Sequence, residues 1–201
     1  MTLMVAEPFG CIILAAGAGT RFGESKAGAL LPSGERFLDV IARAALDAGA
    51  QPVVAVVPEG VEVPPAARTV RNRDAKGEQI VSVRLGLMQL VGTLARGTLI
   101  WPVDHPFVSL KSILAIVEAY RLTRAHIVLP TYNGRRGHPT FFDRVVWGEL
   151  MTVESGGAQT VVRAVRDRVH EVPTVDPGIL QDIDTRSDMP LGGWRATDAI
   201  S

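Results

Sequence analysis

At 201 residues, with 47% apolar and 21% charged content, the chain has the length and composition of one folded domain with a sizeable core, not of a disordered segment. Twenty-one basic residues balance twenty-one acidic ones, which argues against a nucleic-acid binder or a protein held on anionic membranes. Cys11 is the single cysteine, so no disulfide forms within the chain, and no apolar run approaches the roughly 18–20 residues that cross a bilayer.

The leader 1–8 has no basic start and contains Glu7, unlike a signal peptide, so the expected location is the cytoplasm. Residues 11–15 (CIILA) form a continuous apolar run, the pattern of a central strand buried on both faces of a parallel sheet. Phe37, Leu38, Ile41, Ala45 and Leu46 then follow helical spacing, with Gly49 closing the helix. PVVAVVP (52–58) reads as a second buried strand ended by Pro58, and TVRN (69–72) as a short third. Residues 79–94 predict a helix with Ile80, Val83, Leu87 and Leu90 inward.

TLIWPV (98–103) is the next buried strand, followed by the loop DHPFVS and a helix over 110–122. HIVLP (126–130) is another strand, and NGRRGHPTFF (133–142) a tight connection back into the sheet. Two short helical patterns, 142–150 and 158–166, flank Gly156 and Gly157, and VHEVP (169–173) is the last strand. Strands alternating with helices imply an α/β fold with a mainly parallel sheet covered on both faces. We expect a single domain with its core over about 10–188 and a tail over 189–201, whose LGGWRATDAIS lacks a helical pattern.

Ligands of such sheets bind beyond the carboxyl ends of the strands. There the first strand runs into Gly17, Gly19 and Gly23, whose backbone can turn with positive φ and approach a ligand, and Arg21 and Lys26 add charge suited to phosphate. The spacing G-x-G-x-x-x-G misses the dinucleotide pattern by one residue, and Lys26 lacks the Walker context; a nicotinamide-dependent oxidoreductase rests on that near miss alone. Asp104, after the strand 98–103, and Asp182 or Asp184, in the loop 180–185, are carboxylates able to share a magnesium ion with phosphate oxygens and water. Singly, each residue has an ordinary alternative. Asp104 can cap a helix, Asp182 and Asp184 can shape a turn, Lys26 and Arg21 can be solvated charges, and His138 can hold a loop. His105 and His138 are too distant in sequence to be paired.

The segments LAAGAGTRFGESK, GEQIVSVRLGL, WPVDHPFVS, GRRGHPTFF and DIDTRSD, in that order, resemble the MobA-like nucleotidyltransferase superfamily, most closely its molybdenum-cofactor cytidylyltransferase (MocA-like) branch. The resemblance implies a Rossmann-like three-layer α/β/α sandwich of the nucleotide-diphospho-sugar transferase type. It implies transfer of a nucleoside monophosphate, CMP from CTP being favoured, onto a phosphorylated small molecule such as molybdopterin, with release of pyrophosphate. Leu14, Ala15, Ala16, Gly17, Gly19 and Thr20 would line the nucleotide, with Gly77, Gln79 and Ser82 near base and ribose. Arg21 would meet the outer phosphates and Lys26 the α-phosphate. Asp104 and Asp184 would hold Mg2+, or Mn2+ in its place, and His138 would stand beside the acceptor. A cofactor-recipient enzyme is an implied partner. Two residues inserted after Lys26 depart from the family's K-A-L-L-P wording and motivate the alternative, a nucleotide- or cofactor-binding carrier that no longer catalyses.

Overall fold

A computed structural model of the chain describes residues 7–17, 26–74 and 78–189. Gly19, Thr20, Arg21 and Gly77 lie outside the described residues, as does all of the expected tail beyond residue 189. The strands are β1 (Gly10–Leu14), β2 (Val53–Val57), β3 (Arg68–Arg71), β4 (Gly97–Pro102), β5 (Ile127–Tyr132), β6 (Arg135–Arg136), β7 (Thr140–Asp143) and β8 (Val169–Pro173). The helices are α1 (Phe37–Asp47), α2 (Gln79–Met88), α3 (Leu110–Thr123), α4 (Trp147–Thr152) and α5 (Gly157–Ala164).

These strands form one sheet in the order β3-β2-β1-β4-β7-β5-β6, with β8 beside β5. Every residue of β1, β2 and β4 is buried, as their unbroken apolar runs require. Along β1 the side chains alternate between two cores. Cys11 and Ile13 join Phe37, Ile41, Trp101 and Ile113 on the face covered by α1 and α3. Ile12 and Leu14 join Ile80, Leu87, Trp147 and Val161 on the face covered by α2, α4 and α5. The result is the expected three-layer α/β/α arrangement.

Helix α1 stops where its sequence predicts. Gly49 takes φ 91°, its N–H reaching the carbonyl of Leu46 at 2.8 Å and that of Ala50 reaching Ala45 at 3.0 Å, the paired bonds of a Schellman turn. Helix α2 departs from expectation, ending at Met88 rather than running to residue 94. Leu90 is still buried, but through a turn, and Leu94 is exposed. The Arg144 guanidinium, from the far end of β7, donates to the carbonyls of Thr93 and Ala95 at 3.0 Å and so holds the chain in the turn.

Two strands run against the rest of the sheet, the short β6 at its edge and β7 within it. β7 runs antiparallel to both of its neighbours, pairing Ile100 with Thr140 on β4 and Ile127 with Phe142 on β5. Its amino end therefore lies at the edge where the parallel strands finish. Residues 138–140, in the connection that precedes and opens β7, are thereby delivered to the ligand-binding edge.

Candidate active site

The ladder of β1 continues past its last strand residue, because Ala15 N–H donates to Val56 at 2.8 Å and Val103 N–H donates to Leu14 at 3.0 Å. Ala15 and Ala16 are buried, and Gly17 is the last described residue before the loop. Lys26 opens the next described segment in a 3-10 turn, Lys26–Gly28. The two inserted residues, Ala27 and Gly28, complete that turn, and Ala27 and Ala29 are wholly buried beneath it. The insertion thus anchors Lys26 in the core without removing it from the strand ends.

Three segments distant in sequence meet there. The Lys26 ammonium lies 3.2 Å from Asp104 Oδ2 and also pairs with Asp184 Oδ1. Asp104 follows β4, and its backbone carbonyl accepts from Ile183 N–H at 2.8 Å, which ties the loop of Asp184 to the loop of Asp104. Ile183 is fully buried, while Asp182 is exposed on the same loop, so Asp184 is the carboxylate brought to Lys26. The strap ahead of it is pinned by Asp176, whose carboxylate accepts from Ser109 N–H, Ser112 Oγ and Gly178 N–H, each at 2.8 Å.

Burial alone would raise the Asp104 carboxyl, but the hydrogen bond and charge of His105, followed by Lys26, outweigh it and bring the pKa down to about 2. Burial likewise opposes the Lys26 charge, and the carboxylates of Asp184 and Asp104 overcome it, so this lysine is held charged more firmly than a free one. The cluster is an ionised carboxylate–ammonium–carboxylate bridge.

His105 and His138, unpaired by sequence reasoning, come together. Their ring centroids lie 4.7 Å apart in an edge-to-face arrangement. His105 Nδ1 is 3.0 Å from Asp104 Oδ1, and the His105 carbonyl accepts from Trp101 Nε1 at 3.0 Å. His138 is fixed by its N–H to the Ile179 carbonyl at 2.9 Å, and among the described residues its buried Nδ1 has no hydrogen-bond partner. Burial, then the neighbouring His105, push its pKa down to about 4, so the imidazole is neutral at pH 7.

His138 also lines a pocket of about 420 Å³ on the α2 and α5 face. Its floor is Leu14, Ile100, Pro102 and Phe142, and its rim carries Gln79, from the start of α2, and Gln159, from the first turn of α5. A mainly apolar cavity with a few polar groups at the strand ends is the usual form of a small-molecule site. Ser82 does not line it. That hydroxyl is buried and accepts from Asn72 Nδ2 at 3.0 Å, a pairing between the end of β3 and α2 that the sequence did not disclose. Arg136, in β6, is paired through Nε with Glu171 at 2.8 Å.

A mostly parallel sheet of this order, with charged residues gathered beyond β1 and β4, is the architecture of nucleotidyltransferases. The crystal structure of Rv0371c from Mycobacterium tuberculosis H37Rv superposes with a TM-score of 0.76 at 25% identity, covering 92% of this chain and 96% of that one. The 2-C-methyl-D-erythritol 4-phosphate cytidylyltransferase of Thermus thermophilus superposes at 0.67 and 18% identity, over 96% and 97% of the two chains. A probable molybdenum cofactor guanylyltransferase of Mycobacterium ulcerans (strain Agy99) is 24% identical over 182 residues, 89% of this chain and 90% of that protein. The MobA-like NTP transferase domain matches residues 11–172, and the chain belongs to that family. It is accordingly a nucleotidyltransferase. Among the described residues no helix is long and apolar enough to cross a membrane.

Proposed function

We propose that this enzyme moves a nucleoside monophosphate from an NTP onto a phosphorylated small molecule of the molybdopterin class and releases pyrophosphate. The observation that carries the reading is the meeting of Lys26, Asp104 and Asp184 beyond β1 and β4. In the reaction an oxygen of the acceptor phosphate forms a bond to the α-phosphorus as the bond to the bridging oxygen of the β-phosphate breaks. Such chemistry is chiefly positioning and charge stabilisation. Lys26 supplies a cation at the α-phosphate. The backbone after β1, from Leu14, Ala15, Ala16 and Gly17 onward through Gly19 and Thr20, cradles the nucleotide, and Arg21 meets its outer phosphates. Gly77 and Gln79 stand at the base and ribose, and Ser82, buried in α2, acts only through Asn72. The acceptor enters the His138 side of the pocket, whose Leu14 and Gln79 side takes the nucleotide.

Asp104 and Asp184 are hard oxygen donors already sharing a cationic group, the Lys26 ammonium, and they suit Mg2+ or Mn2+. With two protein carboxylates, such an ion would complete its shell with phosphate oxygens and water. When bound, it would neutralise phosphate charge. A crystal structure of Rv0371C, superposing at a TM-score of 0.71 with 22% identity, is a manganese complex. For the donor, the name of the Mycobacterium ulcerans relative favours GTP over the CTP expected from the motif wording. A recipient enzyme for the finished cofactor is the corresponding partner.

Pyrophosphate release is measured with each of the four NTPs, molybdopterin and Mg2+ or Mn2+. Release with GTP and molybdopterin is the expected result. Release with CTP alone would reverse the donor assignment. NTP binding without pyrophosphate from any donor would replace the reading with that of a non-catalytic carrier.

A further inference from the structure

We infer that His105 is a positioning residue for Asp104, dividing the work of the carboxylate's two oxygens and joining it to the wall of the acceptor pocket. The inference rests on the reading of Asp104 as a cation ligand. An ionised carboxylate only accepts hydrogen bonds, so in the 3.0 Å contact Nδ1 of His105 carries a proton and donates to Oδ1. Oδ2 is left to face Lys26 at 3.2 Å, on the side where a cation would bind. A hydrogen bond that orients a metal-binding carboxylate commonly changes metal affinity by about 10–100-fold when removed.

The ring is placed for this task rather than for holding the loop. The backbone around His105 is secured independently, by Trp101 Nε1 on its carbonyl and by its own N–H to the Pro102 carbonyl at 3.2 Å. Its imidazole is nearly buried, at 9% exposure for the residue, between the Asp104 carboxylate and the ring of His138. Because His138 lines the pocket, one imidazole touches both the carboxylate that faces the donor phosphates and a wall of the acceptor space. Loss of that ring should disturb Asp104 first and the acceptor pocket second.

The test uses the full chain and Mn2+ alone, with free Mn2+ followed by electron paramagnetic resonance in the absence of nucleotide. His105→Phe keeps a flat ring against His138 but has no donor, and it is expected to weaken Mn2+ binding about tenfold. His105→Asn retains an N–H at nearly the reach of Nδ1 and is expected to restore affinity to within about threefold of the parent. Asp104→Asn, the control, is expected to lose Mn2+ binding altogether. Wild-type affinity in His105→Phe, with binding lost in Asp104→Asn, overturns the positioning role alone. Equal losses in His105→Phe and His105→Asn, with unchanged melting temperatures, also overturn it, because the donor would then be irrelevant. Unchanged binding in Asp104→Asn instead overturns the cation reading on which the inference stands. His105→Ala replaces His105→Phe if the phenyl ring prevents folding.

Discussion

Replacing Gly86 with alanine sets helix propensity against packing, and the geometry decides the sign. Alanine is about 1 kcal/mol better than glycine inside a helix. A β-carbon on Gly86, however, would lie 2.4 Å from Ile12 Cγ2 and 3.0 Å from Cγ1, against the 3.5–4.0 Å of an ordinary carbon contact. Ile12 is fully buried at the middle of β1 and, being β-branched, has few rotamers to yield with. The helix must therefore lift from the sheet by roughly 1 Å, an overpacking that costs about 1–3 kcal/mol. The expected net effect is a loss of about 1 kcal/mol, or about 2–4 °C in melting temperature for a chain of this size. Thermal and urea denaturation of Gly86→Ala, Ile12→Ala and the double variant measure it. The double variant should be less destabilised than the sum of the singles, because removing the Ile12 branches makes room for the new methyl. A higher melting temperature for Gly86→Ala, with strict additivity, would refute the close approach of α2 to β1. Since Gln79 begins α2, a lifted helix should also raise the KM for the nucleotide.

Two further outcomes follow from the charged cluster and the histidine pair. Lys26→Met should lower kcat for pyrophosphate release by about 10²–10³-fold, the range for loss of one preorganised charge-stabilising group, while the protein remains folded by circular dichroism. The second concerns acid. His138 titrates near 4 when folded and near 6.5 when unfolded, so the unfolded chain takes up the proton first. Stability therefore falls as pH drops from about 6.5 towards 4, by at most about 3 kcal/mol, and His138→Gln should flatten that part of the melting profile. The Asp104 contribution lies lower, being present above about 3.8 and lost as pH falls through about 2. An unchanged profile in His138→Gln would contradict the assignment of the upper window.

Elements whose information is local were legible in the sequence. The unbroken apolar run of β1, the helical spacing from Phe37 and the closing Gly49 each specify their structure without reference to the rest of the chain. The end of α2 was not legible, because apolar spacing continues through Leu90 and Leu94 while the turn is held by Arg144, some fifty residues away. The reversed insertion of β7 was equally hidden, since TFFD carries no mark of which strands will flank it. The same division holds at the site. Asp104 and Asp184 could be named because they are carboxylates following strand ends, and Lys26 because it follows the glycine loop. The His105–His138 contact exists only because β7 lies beside β4, and the Asn72–Ser82 bond only because the residue after β3 lies against α2. Neither leaves a spacing signal.

The insertion of β7 also makes the two sides of the site modular. Lys26, Asp104 and Gln79 all belong to the stretch that builds β1 through β4, whereas His138 arrives on an excursion from β5 that returns as β7. Grafting a relative's counterpart of residues 133–139 would therefore exchange the wall that carries His138, with its contact to His105, while leaving Lys26, Asp104 and Gln79 in their own framework. Such a chimaera must keep the contacts of His138 with His105 and the Ile179 carbonyl. A β-carbon at Gly137 would fall 2.4 Å from the Ile179 carbonyl oxygen, so a graft must keep glycine there or displace the strap that leads to Asp184. Gly137, the His138 N–H on the Ile179 carbonyl and the His138 ring on His105 together couple this exchangeable part to the centre of the enzyme.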